Sequence, residues 1–443
     1  MNKQVVDLAD IFIKRTTAYR DKVMMLQRSQ YCTPYELEEL ALARFRSMLA
    51  YCGRHIPFYR ETLSRIGKGA DDFRTMADLD RLPIIDKRVV KDNFDMFLPA
   101  RRPLIRSAAE TSGTTGFPSC FFRDINSILH EDAILERFRR AGGVEVNRTA
   151  VFRGDMLFRS DRAGPPYWKV FPTSRQCVFS SYHLGEKTLP DYDRMLRLFR
   201  PEAIYAFPSV VYQLAYLYRS CRMEAYQPRI IYTSSEVLKT LHRQLIESVF
   251  GCPVRDWYGQ VERVAAIGQC EHGTYHIVED YSLVELMKSP TGFEVIGSSL
   301  ENRVMPLLRY RTNDEIELVD DPCPCGRGFR TVGKIHGRQM KYLVTPEGRK
   351  VSFFLISDAI DVEDNIREVQ FEQRAHGSLI LNVIPGDSFC ERNAERVIQN
   401  IKSRTSANME VSIHLVDSIP RGPNGKVKDL ILCEEPNPRG GLS

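Results

Sequence analysis

The sequence predicts an α/β protein with a large N-terminal domain (1–337) of mixed and parallel sheets between flanking helices, then a small α+β domain (338–443). Two stretches carry this expectation. In the middle of the chain, short apolar runs alternate with helical ones, which favours a parallel sheet covered by helices on both faces. Beyond a junction near Gly337-Arg338, the order changes to β-β-α-β.

In chain order, residues 1 to about 75 read as helical. Thr33-Pro34-Tyr35-Glu36 is a capping box with proline at the first helical position. Leu37, Leu40, Ala41, Phe45, Met48 and Cys52 then recur at helical spacing, and His55-Ile56-Pro57-Phe58-Tyr59 closes that helix. Residues 203–207, 229–233 and 253–258 read as short strands, separated by helices at 209–222 and 236–250. Ligands of such sheets sit at the carboxyl ends of the strands. Strands at 367–373, 379–384 and 410–416 surround a helix at 391–404, and the tail 437–443 reads as disordered.

Hydrophobic residues make up 43% of the chain and charged residues 27%, the balance of a soluble enzyme. The net charge of +5 is slight, and basic residues occur as pairs such as Arg101-Arg102 and Arg139-Arg140. Nucleic-acid binding would need them clustered. No apolar run is long enough to span a bilayer, and the N-terminus lacks a signal-peptide core. A cytoplasmic, reducing location is therefore expected, with the eleven cysteines free of structural disulfides.

Thr111-Ser112-Gly113-Thr114-Thr115-Gly116-Phe117-Pro118 combines glycines that allow close backbone approach with hydroxyls that can meet a phosphate or a metal. No lysine follows Gly116, which separates it from the common phosphoryl-transfer loop. Four further segments follow in order: Tyr258-Gly259-Gln260-Val261-Glu262, Arg309-Tyr310-Arg311-Thr312-Asn313-Asp314, Gly337-Arg338, and Pro420-Arg421-Gly422-Pro423-Asn424-Gly425-Lys426. Singly, each has a plain alternative. Tyr258 fits core packing, Glu262 a solvated helix start, Asp314 a surface pair with Arg309 or Arg311, and Lys426 an exposed loop.

As an ordered set the segments resemble the adenylate-forming superfamily, in its phenylacetate–CoA ligase and CapK-like branch. The resemblance spans nearly the whole chain and implies ATP-dependent activation of a carboxylic acid to an acyl-adenylate, with release of pyrophosphate. It further implies transfer to coenzyme A or, alternatively, to an amine or sugar, and a small mobile C-terminal lid. Related enzymes are often homodimers. Mapped onto this sequence, Ser112, Gly113, Thr114, Thr115 and Gly116 would hold the ATP phosphates, with Thr114 among the catalytic groups. Tyr258, with Gly259 beside it, would stack on adenine, and Ser235-Glu236 would pass along its edge. Glu262 would hold Mg²⁺, Asp314 the ribose hydroxyls, and Arg338 would approach the nucleotide at the hinge. Lys426 would stabilise charge as the adenylate forms. The chain departs from the family at Ser119, at the hinge Gln339-Met340-Lys341, where paired acids are usual, and at 235–236, which lack paired glycines.

Cys270-Glu271-His272, His276 and Cys323-Pro324-Cys325 offer two thiolates on one tight turn and a Cys/His pair elsewhere, a donor set that suits tetrahedral Zn²⁺. Similar proteins of the CapK-like group carry a comparable set. Cys270, His276, Cys323 and Cys325 are the expected structural ligands, with His272 as the alternative histidine. An acyl pocket is expected near Tyr182, Phe207, Pro208, Ser209 and Trp257, while His183 is read as packing.

Overall fold

A computed structural model describes residues 16–100, 107–110, 120–153, 164–289, 292–338, 342–353, 356, 360, 365–386, 388–421 and 427–432. The first elements are the helices Thr17–Ser29, Pro34–His55 and Pro57–Ile66. The capping box forms in both directions: Thr33 N–H donates to Glu36 Oε2 at 2.8 Å, and Glu36 N–H to Thr33 Oγ1 at 3.3 Å. Leu37, Ala41, Phe45, Met48 and Cys52 are buried, as their spacing requires. Leu40 is not: it lies at the stripe's edge, 39% exposed, and Leu42 and Leu49 fill the buried face instead. Helices Pro34–His55 and Pro57–Ile66 pack on Val264, Leu283, Leu300, Val304, Met305, Leu307 and Leu308, whereas Thr17–Ser29 packs on Ala133, Ile134 and Phe329.

A hairpin of β1 (Ser107–Glu110) and β2 (Cys120–Arg123) precedes the main sheet. That sheet has twelve strands: β3 (Thr149–Phe152), β4 (Trp168–Phe171), β5 (Gln176–Phe179), β6 (Ala203–Ala206), β7 (Ile230–Ser234), β8 (Val254–Gly259), β9 (Ala266–Gln269), β10 (Tyr275–Ile277), β11 (Ser282–Ser289), β12 (Gly292–Ser299), β13 (Tyr310–Leu318) and β14 (Thr331–Arg338). Their order is 11-12-13-14-10-9-8-7-6-3-5-4. Strands β5, β3, β6, β7 and β8 run parallel, and β9 turns the sheet antiparallel. The expected parallel block is therefore present, joined to an antiparallel half.

Helices Leu189–Phe199, Pro208–Ser220 and Thr240–Phe250 contribute to the core beside the parallel strands. The helix expected from 236 begins only at Thr240, because Lys239 keeps an extended backbone (φ −72°, ψ 147°) as its N-cap.

After Arg338, β15 (Tyr342–Val344) and β16 (Lys350–Ser352) form a hairpin. Then β17 (Ile366–Ala375), β18 (Ser378–Pro385), β19 (Glu410–Leu415) and β20 (Leu430–Leu432) make a four-stranded sheet in the order 19-18-17-20. Helix Glu391–Arg404 buries Val397 and Ile401 with Leu343, Phe371, Leu381 and Leu430, so this region has a core of its own. The tail expected to be disordered lies outside the described residues.

Candidate nucleotide site and a cysteine–histidine cluster

Several sequence-predicted segments meet where the ends of β8 and β14 approach the middle of β13. Tyr258, near the end of β8, donates its hydroxyl to Asp314 Oδ2 at 2.7 Å, and Gln260 Nε2 donates to that hydroxyl at 2.5 Å. Burial, then the Asp314 carboxylate, holds the Tyr258 phenol well above its ordinary pKa, so it stays a neutral donor. Asp314 is buried on β13 and sits opposite Arg338 of β14 in the strand register. Thr312 Oγ1 accepts the Asp314 N–H at 3.1 Å. Gly337 has φ +71°, and a Cβ there would stand 3.2 Å from Val237 Cγ2, so the end of β14 abuts the 235–237 segment. Glu236 Oε2 in turn accepts the Ser209 N–H at 3.0 Å, placing a carboxylate at the positive end of helix Pro208–Ser220.

The plain alternatives for Asp314 do not describe its neighbours. Arg309 is held by Glu285 at 2.6 Å and Asp80 at 2.9 Å, and Arg311 pairs with Glu294 at 3.4 Å. Nor is Glu262 a solvated helix start. It is buried, no helix follows it, and Tyr310 donates to its Oε1 at 3.1 Å. Phe121 meets Tyr310 edge-on at 6.5 Å, and Arg123 Nη2 donates to Val261 O at 2.6 Å. The β1–β2 hairpin, in which Glu110 stands opposite Cys120, thus brings Phe121 and Arg123 to the Tyr310–Glu262 pair and the neighbouring Val261. Ser112, Gly113, Thr114, Thr115, Gly116 and Lys426 themselves lie outside the described residues, and Arg338 is described only as a backbone position.

Trp257 is buried, packs on Phe138 at 4.9 Å, and a Cβ on Gly268 would come within 2.8 Å of its indole. His183 packs, as expected, with Nδ1 2.7 Å from Ser180 Oγ and its ring on Tyr167. Gln260 and Thr312, which hold Tyr258 and Asp314, sit inside the quoted motifs but show no distinguishing sequence signal. A cleft of about 520 Å³ separates helices Pro208–Ser220 and Thr240–Phe250 from β17, with Ser209, Tyr212, Glu236, His242, Arg367 and Glu368 in its wall.

A second constellation lies at β9–β10 and the turn before β14. The donor atoms of Cys270, His276, Cys323 and Cys325 all fall within 4.8 Å of one another. Cys270 Sγ is 3.5 Å from Cys323 Sγ, and Cys325 Sγ 3.4 Å from His276 Nε2. A disulfide would need about 2.05 Å between sulfurs, whereas a zinc tetrahedron has edges of about 3.5–3.8 Å. The His276 Nδ1 lies 3.4 Å from the Phe329 carbonyl, which can fix the ring with Nε2 toward the sulfurs. His272 is exposed and is not in the cluster.

Comparison with known proteins agrees with this architecture. Residues 343–432 match the family described as CapK C-terminal domain. The chain is similar to Protein CapK of Staphylococcus aureus, 26% identical over 94% of this chain and 93% of that one. It is 25% identical to phenylacetate-coenzyme A ligase of Thermus thermophilus over 92% of this chain and 99% of the relative. Among solved structures, 2-hydroxyisobutyryl-CoA ligase in the postadenylation state in complex with 2-HIB-AMP shares the fold, with TM-score 0.73 and 18% identity over 92% of this chain and 91% of that one. No helix among the described residues is long and apolar enough to cross a membrane.

Proposed function

We propose, for a chain that belongs to the adenylate-forming superfamily in its CapK and phenylacetate–CoA ligase branch, that it activates a carboxylic acid with ATP and passes the acyl group to coenzyme A. The carboxylate oxygen attacks the α-phosphorus, the bond to the bridging oxygen breaks, and pyrophosphate leaves. The thiol sulfur then attacks the acyl carbon, AMP departs with the oxygen, and the thiol proton goes to solvent. The observation that carries this reading is the convergence of Tyr258, Asp314, the backbone of Arg338 and the 235–237 segment in one place.

In this reading Asp314 receives the ribose hydroxyls, and the Tyr258 ring, tied by its hydroxyl, offers its face to adenine. Ser112, Thr114 and Thr115 bind the phosphates, and Lys426 stabilises the charge that develops between carboxylate and α-phosphate. Glu262 is the residue that would hold Mg²⁺, which supplies charge neutralisation at the phosphates. The cysteine–histidine cluster is the proposed structural zinc site, formed by Cys270, His276, Cys323 and Cys325. Its donor set and spacing suit four-coordinate zinc, which would tie β9–β10 to the turn before β14.

A second reading keeps adenylation but ends on an amine or sugar acceptor. It is favoured by Gln339-Met340-Lys341, where acids are usual in the ligases this chain resembles. Pyrophosphate exchange across aryl, aliphatic and amino acids, repeated with and without coenzyme A, separates the two. Acid-dependent exchange lost in Lys426→Ala, with an acyl-CoA product, is expected. Full exchange in Lys426→Ala rejects the mechanism, and an amide or ester formed without coenzyme A selects the second reading.

A further inference from the structure

Helix Pro208–Ser220 buries Val210, Val211, Leu214, Ala215, Leu217 and Tyr218 in the core, which leaves it rigidly seated. A second stripe, which includes the buried Tyr216, receives two arginines from the C-terminal region. Arg421 Nη1 donates to Ser209 Oγ at 3.2 Å, and Nη2 reaches Gln213 Oε1 at 3.3 Å. Arg367, at the start of β17, lies over the Tyr216 ring with Cζ 3.7 Å from its centroid. Positions 209, 213 and 216 share one face of a helix, so the two arginines grip consecutive turns. Arg421 Nη2 also reaches Glu368 Oε1 at 3.4 Å, which ties the grip back to β17. The Arg421 side chain is only 14% exposed, so these charge-assisted contacts are shielded from water.

The gripped helix is the one whose Ser209 N–H is held by Glu236, in the segment that abuts Gly337. On the other side, Arg421 pairs with Val427 in an isolated β-bridge that brackets the sequence position of Lys426. One side chain therefore joins the nucleotide end of the sheet to the base of the segment carrying Lys426.

We infer that Arg421 and Arg367 are positioning residues that seat the C-terminal sheet on the Ser209–Gln213–Tyr216 face for adenylate formation. In the scheme above Lys426 acts between the carboxylate and the α-phosphate, so this seating bears on adenylate formation rather than on acyl transfer. The inference rests on the adenylation reading above. Arg421 touches neither substrate nor reacting atoms in this scheme and acts through the placement of its neighbours.

The test compares wild type, Arg421→Ala, Arg421→Lys, Arg367→Ala, the double alanine variant and Lys426→Ala. Three readouts are taken: pyrophosphate exchange with ATP and phenylacetate, phenylacetyl-CoA formed from supplied phenylacetyl-adenylate, and deuterium uptake without substrate. The double variant should lose exchange about 10- to 100-fold, the scale of lost charged hydrogen bonds, while thioester formation stays within about 2-fold. Arg421→Lys should recover part of the exchange, since it keeps a cation but not the fork. Uptake should rise at residues 208–216 and 366–371 and stay unchanged in β6 and β7. Exchange at the wild-type rate in the double variant, with Lys426→Ala inactive, overturns the inference, as does an equal fall in both half-reactions. If Lys426→Ala retains exchange, the adenylation reading fails instead, and the seating is judged by uptake alone. Unchanged uptake at 208–216 then overturns it.

Discussion

Replacing His242 with phenylalanine should make the protein more resistant to acid. The imidazole stacks on Tyr212 with ring centroids 3.9 Å apart and planes 18° from parallel. Burial, and secondarily Lys239, push its pKa down from 6.5 to about 3. Because the folded value is depressed, the unfolded chain binds the proton first. The stability contribution is intact above pH 6.5 and is lost as pH falls toward 3. At about pH 5 the two titrations differ by roughly 1.5 logarithmic units of proton binding, or about 2 kcal/mol. With an unfolding entropy of about 2.1 cal/mol/K per residue, the 443 residues give about 0.9 kcal/mol/K. The expected shift is therefore about 2 °C. Phenylalanine keeps the stacked ring and cannot titrate. Melting of wild type and His242→Phe is followed from about pH 7.5 to about pH 5, and the gap should widen by about 2 °C in the variant's favour. Parallel melting curves would refute a neutral, half-buried imidazole.

Asp314→Asn keeps the shape of the Tyr258 contact but removes a charged acceptor, so KM for ATP should rise about 10-fold. An unchanged KM in steady-state kinetics would contradict the ribose role. The purified protein should carry about one equivalent of zinc by elemental analysis, and Cys323→Ser should lower both zinc content and melting temperature. A wild-type protein without zinc rejects that assignment. Asp280→Ala should cost about 3–5 kcal/mol, because it strands a buried guanidinium: Arg137 Nη2 donates to Asp280 Oδ1 at 2.8 Å, and both residues are buried. Denaturant unfolding that shows a loss below about 1 kcal/mol would mean that Arg137 finds another partner.

The parallel strands were legible because their residues face helices on both sides and read as continuous apolar runs. β7, Ile230–Ser234, is buried at every position. The antiparallel half was much less so. β13 reads Tyr-Arg-Thr-Asn-Asp-Glu-Ile-Glu-Leu, and register shifts at Glu315/Ile316 and Glu317/Leu318 blur its alternation. β20 has three residues and acquires its identity only by pairing in parallel with β17. The late start of helix Thr240–Phe250 has no signal in the residue types, because Lys239 takes the N-cap without a side-chain hydrogen bond.

The site divides along the same line. Motif residues announce themselves by type and order, so Tyr258, Glu262 and Asp314 could be named before their positions were known. The groups that hold them could not, because Gln260, Thr312 and Ser209 gain meaning only from distances across the fold. Tyr258 shows why this matters for function. Its sequence position implies an aromatic face for adenine, whereas the structure finds its hydroxyl committed to Asp314. The two roles reinforce each other. A phenol fixed at its edge loses rotamer freedom before the nucleotide arrives, so less ordering remains to be done on binding. The same hydrogen bond leaves Asp314 already aligned beside the ring, and one contact thereby sets the relative placement of the proposed adenine and ribose subsites.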